Sequence, residues 1–152
     1  MNIQKEFELL LEERGKQKGF ECKKYISSIR STRNIVELSG QIGCLIYIHI
    51  RSEEPYRWGV TKTRVKEFEN LCKKWFVVLL YETSENGYLL SDSDVRRYIS
   101  ENLWPLGRGR NGNEYKVQPG KSLKYHKPFK TFQEFMNSLE QKVDDNFKTI
   151  IR

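Results

Sequence analysis

The sequence predicts an α/β domain: a central mixed sheet flanked by helices. Two strand-like runs at residues 34–51, N-I-V-E-L-S-G-Q-I-G-C-L-I-Y-I-H-I-R, are joined by a Gly-containing connection and read as a hairpin. W-F-V-V-L-L-Y at 75–81 is almost unbroken apolar sequence, as in a strand buried on both faces beneath helices. Segments of 3.6-residue period precede, separate and follow these strands, which is the alternation of an α/β chain. With 152 residues, the chain is read as a single domain, 1–152.

Taken in order, Ile3, Phe7, Leu10, Leu11 and Arg14 share one helical face, with Glu6, Glu8, Glu12 and Glu13 interleaved, and the helix ends near Gly15 or Gly19. Residues 20–33, with scattered Tyr25, Ile26 and Ile29, follow neither period and read as an irregular or short extended connection. The hairpin strands are 34–38 and 44–50, with Ser39, Gly40 and Gly43 supplying the turn. Pro55 ends the second strand, and 56–60 is either a short strand or a loop. A helix through Val65, Phe68, Glu69, Leu71 and Cys72, capped by Thr61 or Thr63, stops before Trp75. After the buried strand, Glu85-Asn86-Gly87 turns the chain back through Tyr88-Leu89-Leu90. Ser91 and Asp94 form a capping box for a helix through Val95, Tyr98 and Ile99 that ends at Trp104-Pro105. A Gly-rich, Arg-bearing loop at 107–113 leads to a strand at 114–118, and Thr131 with Glu134 caps a closing helix through Phe135, Leu139 and Val143.

Charge narrows the function classes. The chain carries 27 Lys and Arg against 20 Asp and Glu, a net charge of +7. Between Leu103 and Lys130 the cations Arg108, Arg110, Lys116, Lys121, Lys124, Lys127 and Lys130 face only Glu114. A localised positive field draws polyanions and releases their counterions, so nucleic acid leads as partner; an acidic protein surface or a merely solvated loop remains open. Cys22, Cys44 and Cys72 are widely spaced without a C-x-x-C, so neither a disulfide framework nor a zinc site is readable, and reduced, partly buried thiols are expected. No run reaches the ~18 to 20 apolar residues of a membrane span, and a cytoplasmic protein is expected. The loop at 107–113 lacks the G-K-[ST] ending of a phosphate-binding loop, and no nucleophilic triad is readable around His49 or His126.

The hairpin resembles that of the PD-(D/E)XK, or restriction-endonuclease-like, nucleases, in which a first strand reads D-I-V-x-L and a second V-E-V-K. Here Asn34 stands at the Asp position and His49-Ile50-Arg51 at the E-x-K positions. The resemblance spans roughly the first ninety residues and implies an α-β-β-β-α-β core with C-terminal α/β additions. It implies defence, mobile-element or repair systems as the setting. In this family the two acids hold a divalent metal and the Lys assists the attacking water. Asn34 is neutral, His49 is a poor Mg²⁺ ligand and Arg51 stays cationic, so the three disfavour Mg²⁺ or Mn²⁺ and favour a phosphate.

The leading reading is therefore a nucleic-acid-binding protein with a degenerate metal site and no cofactor. Its contacts would come from Arg51, Trp58 with Tyr56 and Arg57, the Lys62, Arg64 and Lys66 helix, and Arg108, Arg110, Lys121, Lys124 and Lys127. Each also has a bland alternative: His49 as a half-buried core histidine, Arg51 as an edge charge, Trp58 as packing, the lysines as solvated surface. The second reading is a nuclease whose acids have moved to Glu37, Glu53, Glu54 or Glu6, with Glu13 as another helix acid. By strand alternation Glu37 points away from Asn34 unless a bulge intervenes, and it also reads as a solvent-face residue. A protein-interaction or immunity-type module is the third. Either a monomer or a homodimer is compatible with the sequence.

Overall fold

Alternation along the strands divides the apolar side chains between two faces of a central sheet, and that division sets the architecture. The computed structural model describes residues 2–26 and 33–151, with side chains described for all of these but 111 and 144–151. Its elements are α1 (Ile3–Lys18), β1 (Phe20–Lys24), β2 (Ile35–Gly40), β3 (Cys44–Arg51), β4 (Trp58–Thr61), α2 (Lys62–Glu69), β5 (Trp75–Tyr81), β6 (Gly87–Ser91), α3 (Asp92–Ser100), β7 (Glu114–Val117) and α4 (Phe132–Ile151). Short 3-10 turns lie at Gly109–Asn111 and Lys121–Leu123.

The central sheet is five-stranded, in the order β1-β2-β3-β5-β6. Strands β1, β2 and β3 pair antiparallel, β3 and β5 parallel, and β6 returns antiparallel to β5. It is a mixed sheet flanked by helices, as expected from the sequence. The α-β-β-β-α-β order is present with a different membership: its first strand is β1, in the stretch read as irregular, while Trp58–Thr61 leaves the main sheet. That segment pairs with β7 in a separate two-stranded sheet, Trp58 opposite Val117 and Thr61 opposite Glu114. Strand β1 escaped detection because F-E-C-K-K is an edge strand joined by backbone pairing, with only Phe20 fully buried. Ile29 lies outside the described residues.

One face of the sheet, carrying Val36, Leu38, Ile46, Ile48, Phe76, Val78 and Leu80, is covered by Phe7 and Leu11 of α1 and by Phe135, Met136 and Leu139 of α4. The other, carrying Ile35, Leu45, Tyr47, Trp75, Val77 and Leu79, packs under Val65 and Phe68 of α2, Val95 and Tyr98 of α3, and the small sheet. Strands β3 and β5 are covered on both sides, which explains their unalternating apolar sequences.

Local chemistry sets the helix ends. Asn2 caps α1 by accepting from the Lys5 N–H at 2.7 Å, and Gly19, at φ 82°, ends it by donating to the Gly15 carbonyl. Both boxes legible in the sequence form: Ser91 and Asp94 bond reciprocally at α3, and Thr131 and Glu134 do so at α4. The three thiols are free, but only Cys22 is partly buried; Cys44 is fully buried and Cys72 exposed.

The turn from α1 into β1 is tight: a Cβ at buried Gly15 would sit 2.3 Å from the Phe20 carbonyl oxygen, whereas a Cβ at Gly43 would meet nothing within 4 Å. Gly15→Ala is expected to lower stability by roughly 1–3 kcal/mol through overpacking, and Gly43→Ala to stay within about 0.5 kcal/mol of wild type. Urea denaturation of the two variants in parallel measures the difference.

Candidate functional site at the end of the β2–β3 hairpin

The register of β2 on β3 decides which hairpin side chains can meet. Ile35 pairs with Tyr47, and one step earlier the Ile48 N–H donates to the Asn34 carbonyl at 2.8 Å. Residues directly opposite in a ladder point to the same side. Asn34 therefore shares a face with Ile46, Ile48 and Ile50 beneath α1, while His49 and Arg51 share the opposite face with Tyr47. The three positions taken from the family's motif do not converge. Asn34 also serves the fold directly, because its Nδ2 donates to the Ile48 carbonyl at 3.1 Å, a bond that an aspartate could not make.

On the Asn34 side the strand ends open into a cleft of ≈1020 Å³, lined by Asn2, Ile3, Gln4, Lys5 and Glu8 of the α1 end, by Lys24 and Arg33, and by Asn34, Ile50 and Ser52. The one carboxylate among these described residues, Glu8, pairs with Lys24 at 2.8 Å and accepts from Gln4 at 3.0 Å. Gln4 and Lys24 both donate to the Arg33 carbonyl. The helix acid at this cleft is thus Glu8, not Glu6 or Glu13, which lie with Glu12 along a separate groove beside Leu9 and Ser84. Helical phase, counted from Phe7 and Leu11, was the signal that could have separated them.

The other displaced-acid candidates stand apart as well. Glu37 pairs with Lys73 and lies opposite Leu45, four residues along β3 from His49, and Glu53 and Glu54 are exposed beyond the strand. Among the described residues no three His, Cys, Asp or Glu side chains converge as a metal site requires. A divalent cation also needs several oxygen ligands, and one lysine-paired carboxylate beside aliphatic Ile48 and Ile50 does not fit that need.

On the other face His49 packs against Tyr47 with ring centroids 4.2 Å apart. Part of the residue reaches solvent, but Nε2 is buried without a partner among the described residues, and burial lowers the imidazole pKa to about 4. Arg51 is exposed, with Nε donating to the Pro55 carbonyl at 3.1 Å. Trp58 is 3% exposed and spends its indole N–H on the Leu80 carbonyl, so it is closed to a stacking partner. Arg64 is likewise buried and bonds Glu67 at 2.7 Å, which removes it from the expected phosphate-facing set.

The remaining expected cations fall into two groups. Asn113 accepts from the Lys62 N–H at 2.8 Å and from the Thr63 hydroxyl at 2.9 Å, which seats the 107–113 loop, with exposed Arg108 and Arg110, at the start of α2. Lys66 is exposed on the same helix. Lys121, Lys124 and Lys127 are exposed in the segment that crosses α3.

That segment is held by a cluster the sequence did not disclose. His126 bonds the Asp94 carboxylate at 3.0 Å and the Tyr98 hydroxyl at 2.7 Å, and Lys142 reaches Asp94 at 3.2 Å. Burial alone would raise the Asp94 carboxyl, but hydrogen bonds from His126 and Ser91 and the nearby cations hold it well below the usual carboxylate range. The relay has no usable nucleophile, since Tyr98 is fully buried and burial pushes its phenol to about 12. It clamps the basic segment onto α3 and α4.

No protein-family model and no curated protein matches the chain. Among solved structures it is similar to Hjc, a Holliday junction resolvase from the archaeal hyperthermophile Archaeoglobus fulgidus, at 12% identity and a TM-score of 0.48, over 80% of this chain and 93% of that one.

His49 makes folding acid-sensitive. Its folded pKa of about 4 lies below the ordinary value near 6.5, so its contribution is complete above pH 6.5 and is lost as pH falls toward 4, where the unfolded chain takes up a proton first. Denaturation at pH 7 and pH 5 is expected to show His49→Leu losing up to ~2 kcal/mol less than wild type between the two.

Proposed function

We propose that this chain is a nucleic-acid-binding protein on a PD-(D/E)XK-like frame, and that its metal chemistry has been lost. The observation that carries the reading is the cleft at the β3 end, where the only carboxylate among the described lining residues, Glu8, is already neutralised by Lys24 and the neighbouring strand positions are Ile48 and Ile50. Such a site favours an anion over a cation. The α-β-β-β-α-β order supports the frame. Exposed Arg108, Arg110, Lys121, Lys124 and Lys127 support the partner, with Lys62 and Lys66 at α2 and Arg51 at the strand end. In this reading they hold phosphates, which positions a nucleic acid without reading its sequence. Among the described residues no helix is long and apolar enough to cross a membrane.

The test is retention and cleavage of labelled single- and double-stranded DNA and RNA with Mg²⁺, with Mn²⁺ and with chelator, across a salt series. Retention that falls steeply with salt, is indifferent to chelator and leaves the strand intact is the expected result. The double variant Arg108→Ala/Arg110→Ala is expected to flatten the logarithmic salt slope by about 2. Metal-dependent cleavage would overturn the lost-chemistry reading, and the absence of salt-sensitive retention would overturn the binding reading.

A further inference from the structure

We propose that Tyr56 and Tyr81 form a stacking ledge for an unpaired nucleobase, so that the protein prefers nucleic acid containing such a base to uniform duplex. The inference rests on the nucleic-acid-binding reading and names the ligand feature that reading leaves open.

Parallel pairing of β3 with β5 brings their C-terminal ends out side by side, with Arg51 aligned to Tyr81. The Glu82 N–H donates to the Arg51 carbonyl at 3.0 Å and fixes that alignment past the last strand residue. Tyr56 lies against Tyr81 with centroids 5.0 Å apart and planes tilted by 42°. Behind them Trp58 stands 6.5 Å and Tyr88 6.1 Å from the Tyr81 ring, and both of these are buried. The four rings are therefore graded: two seal the core, while Tyr56 and Tyr81 are partly buried against it and keep some contact with solvent.

Two exposed arginines adjoin the pair, Arg51 by its alignment with Tyr81 and Arg57 by its place in the chain next to Tyr56. Arg51 spends Nε on the Pro55 carbonyl, which fixes the fork and leaves its terminal nitrogens for a phosphate, and Arg57 is exposed next to Tyr56. A carboxylate is present too: Glu54 lines the open groove that Tyr56 shares with Pro55, Gln118 and Pro119. A backbone phosphate is thereby directed to the arginine side and the groove left to a neutral group. A flat uncharged base satisfies both demands, and an aromatic face accepts any base, whereas a paired base in a duplex offers only its edges.

The ledge also connects with the cleft. Ile50 and Ser52 line the cleft on the α1 side, and Arg51, between them in the chain, belongs to the opposite side. A strand lying in the cleft reaches the ledge by crossing the end of β3.

The experiment uses three DNA probes at one salt concentration: a matched duplex, the same duplex with one bulged 2-aminopurine, and a single strand carrying 2-aminopurine. Wild type is expected to bind the bulged and single-stranded probes more tightly than the matched duplex and to quench their fluorescence. Tyr56→Leu, which keeps apolar bulk but removes the ring, is expected to reduce that preference, the ratio of unpaired-base to matched-duplex affinity, roughly five- to a hundred-fold. Tyr56→Phe is expected to keep it. Equal affinity of wild type for all three probes, or a preference that Tyr56→Leu leaves intact, overturns the ledge while duplex retention preserves the binding reading. Failure to bind any probe overturns both.

Discussion

The pairing of Asn34 opposite Ile48 is the constraint on which the rest of the molecule depends. Because side chains alternate with a period of two, a slip of one residue would carry Ile46, Ile48 and Ile50 away from α1 and expose the whole set. Several contacts hold the register from the turn end. Gly40, at φ 118°, passes so close to Gly19 that a Cβ would lie 2.6 Å from its carbonyl oxygen, and the Gln41 N–H donates to that same oxygen at 2.9 Å. The end of α1, the start of β1 and the hairpin turn are thus pinned together. Every other strand of the central sheet is then placed relative to β3.

That register explains the chemistry of the cleft better than substitution of motif letters does. A strand packed on both faces admits polar side chains only near its end, and on the α1 side the last strand positions of β3 are Ile48 and Ile50. Asn34 uses its amide to close the ladder against the Ile48 carbonyl, so the group that could have faced a ligand is part of the sheet. An aspartate there would set a charged acceptor against a carbonyl and lose the bond. Glu8 is likewise committed, with Lys24 and Gln4 both donating to it. The polar groups at this end of the hairpin, Asn34 and Glu8, are thus both engaged within the fold.

What the sequence made legible was local. The apolar run at 75–81, the α1 face, the two capping boxes and the Gly-rich turn depend on residues a few positions apart, and each formed. What it concealed depends on distant partners. The segment 58–61 joins a sheet with residues 114–117, far along the chain, and 20–24 is a strand only because β2 pairs with it. At the site, the hairpin was legible but not its phase: reading His49 and Arg51 with Asn34 required a pairing offset by one residue from the real one. Trp58 and Arg64 show a related limit: their types suggest nucleic-acid contacts, with packing as the alternative for Trp58, and their positions bury them. Composition says which residues could bind, and burial decides which of them are free to.

The distribution of ion pairs bears on this in turn. Around α2 and α3, cations are matched by acids: Arg64 with Glu67, Lys74 with Asp92, Arg96 with Glu69, Arg97 with Glu101. Lys116 is matched by Glu114. Among the described residues Arg108, Arg110, Lys121, Lys124 and Lys127 have no such bridge. Of these, Lys121, Lys124 and Lys127 lie in the segment that Asp94 fastens down through His126, with Lys142 beside it. A segment of unbridged cations fastened to the fold keeps a local positive potential, and such a potential is lowered by a partner that brings phosphates to several cations at once. Under the proposed nucleic-acid-binding reading, holding the segment of Lys121, Lys124 and Lys127 in place during folding would leave less entropy to be lost on binding.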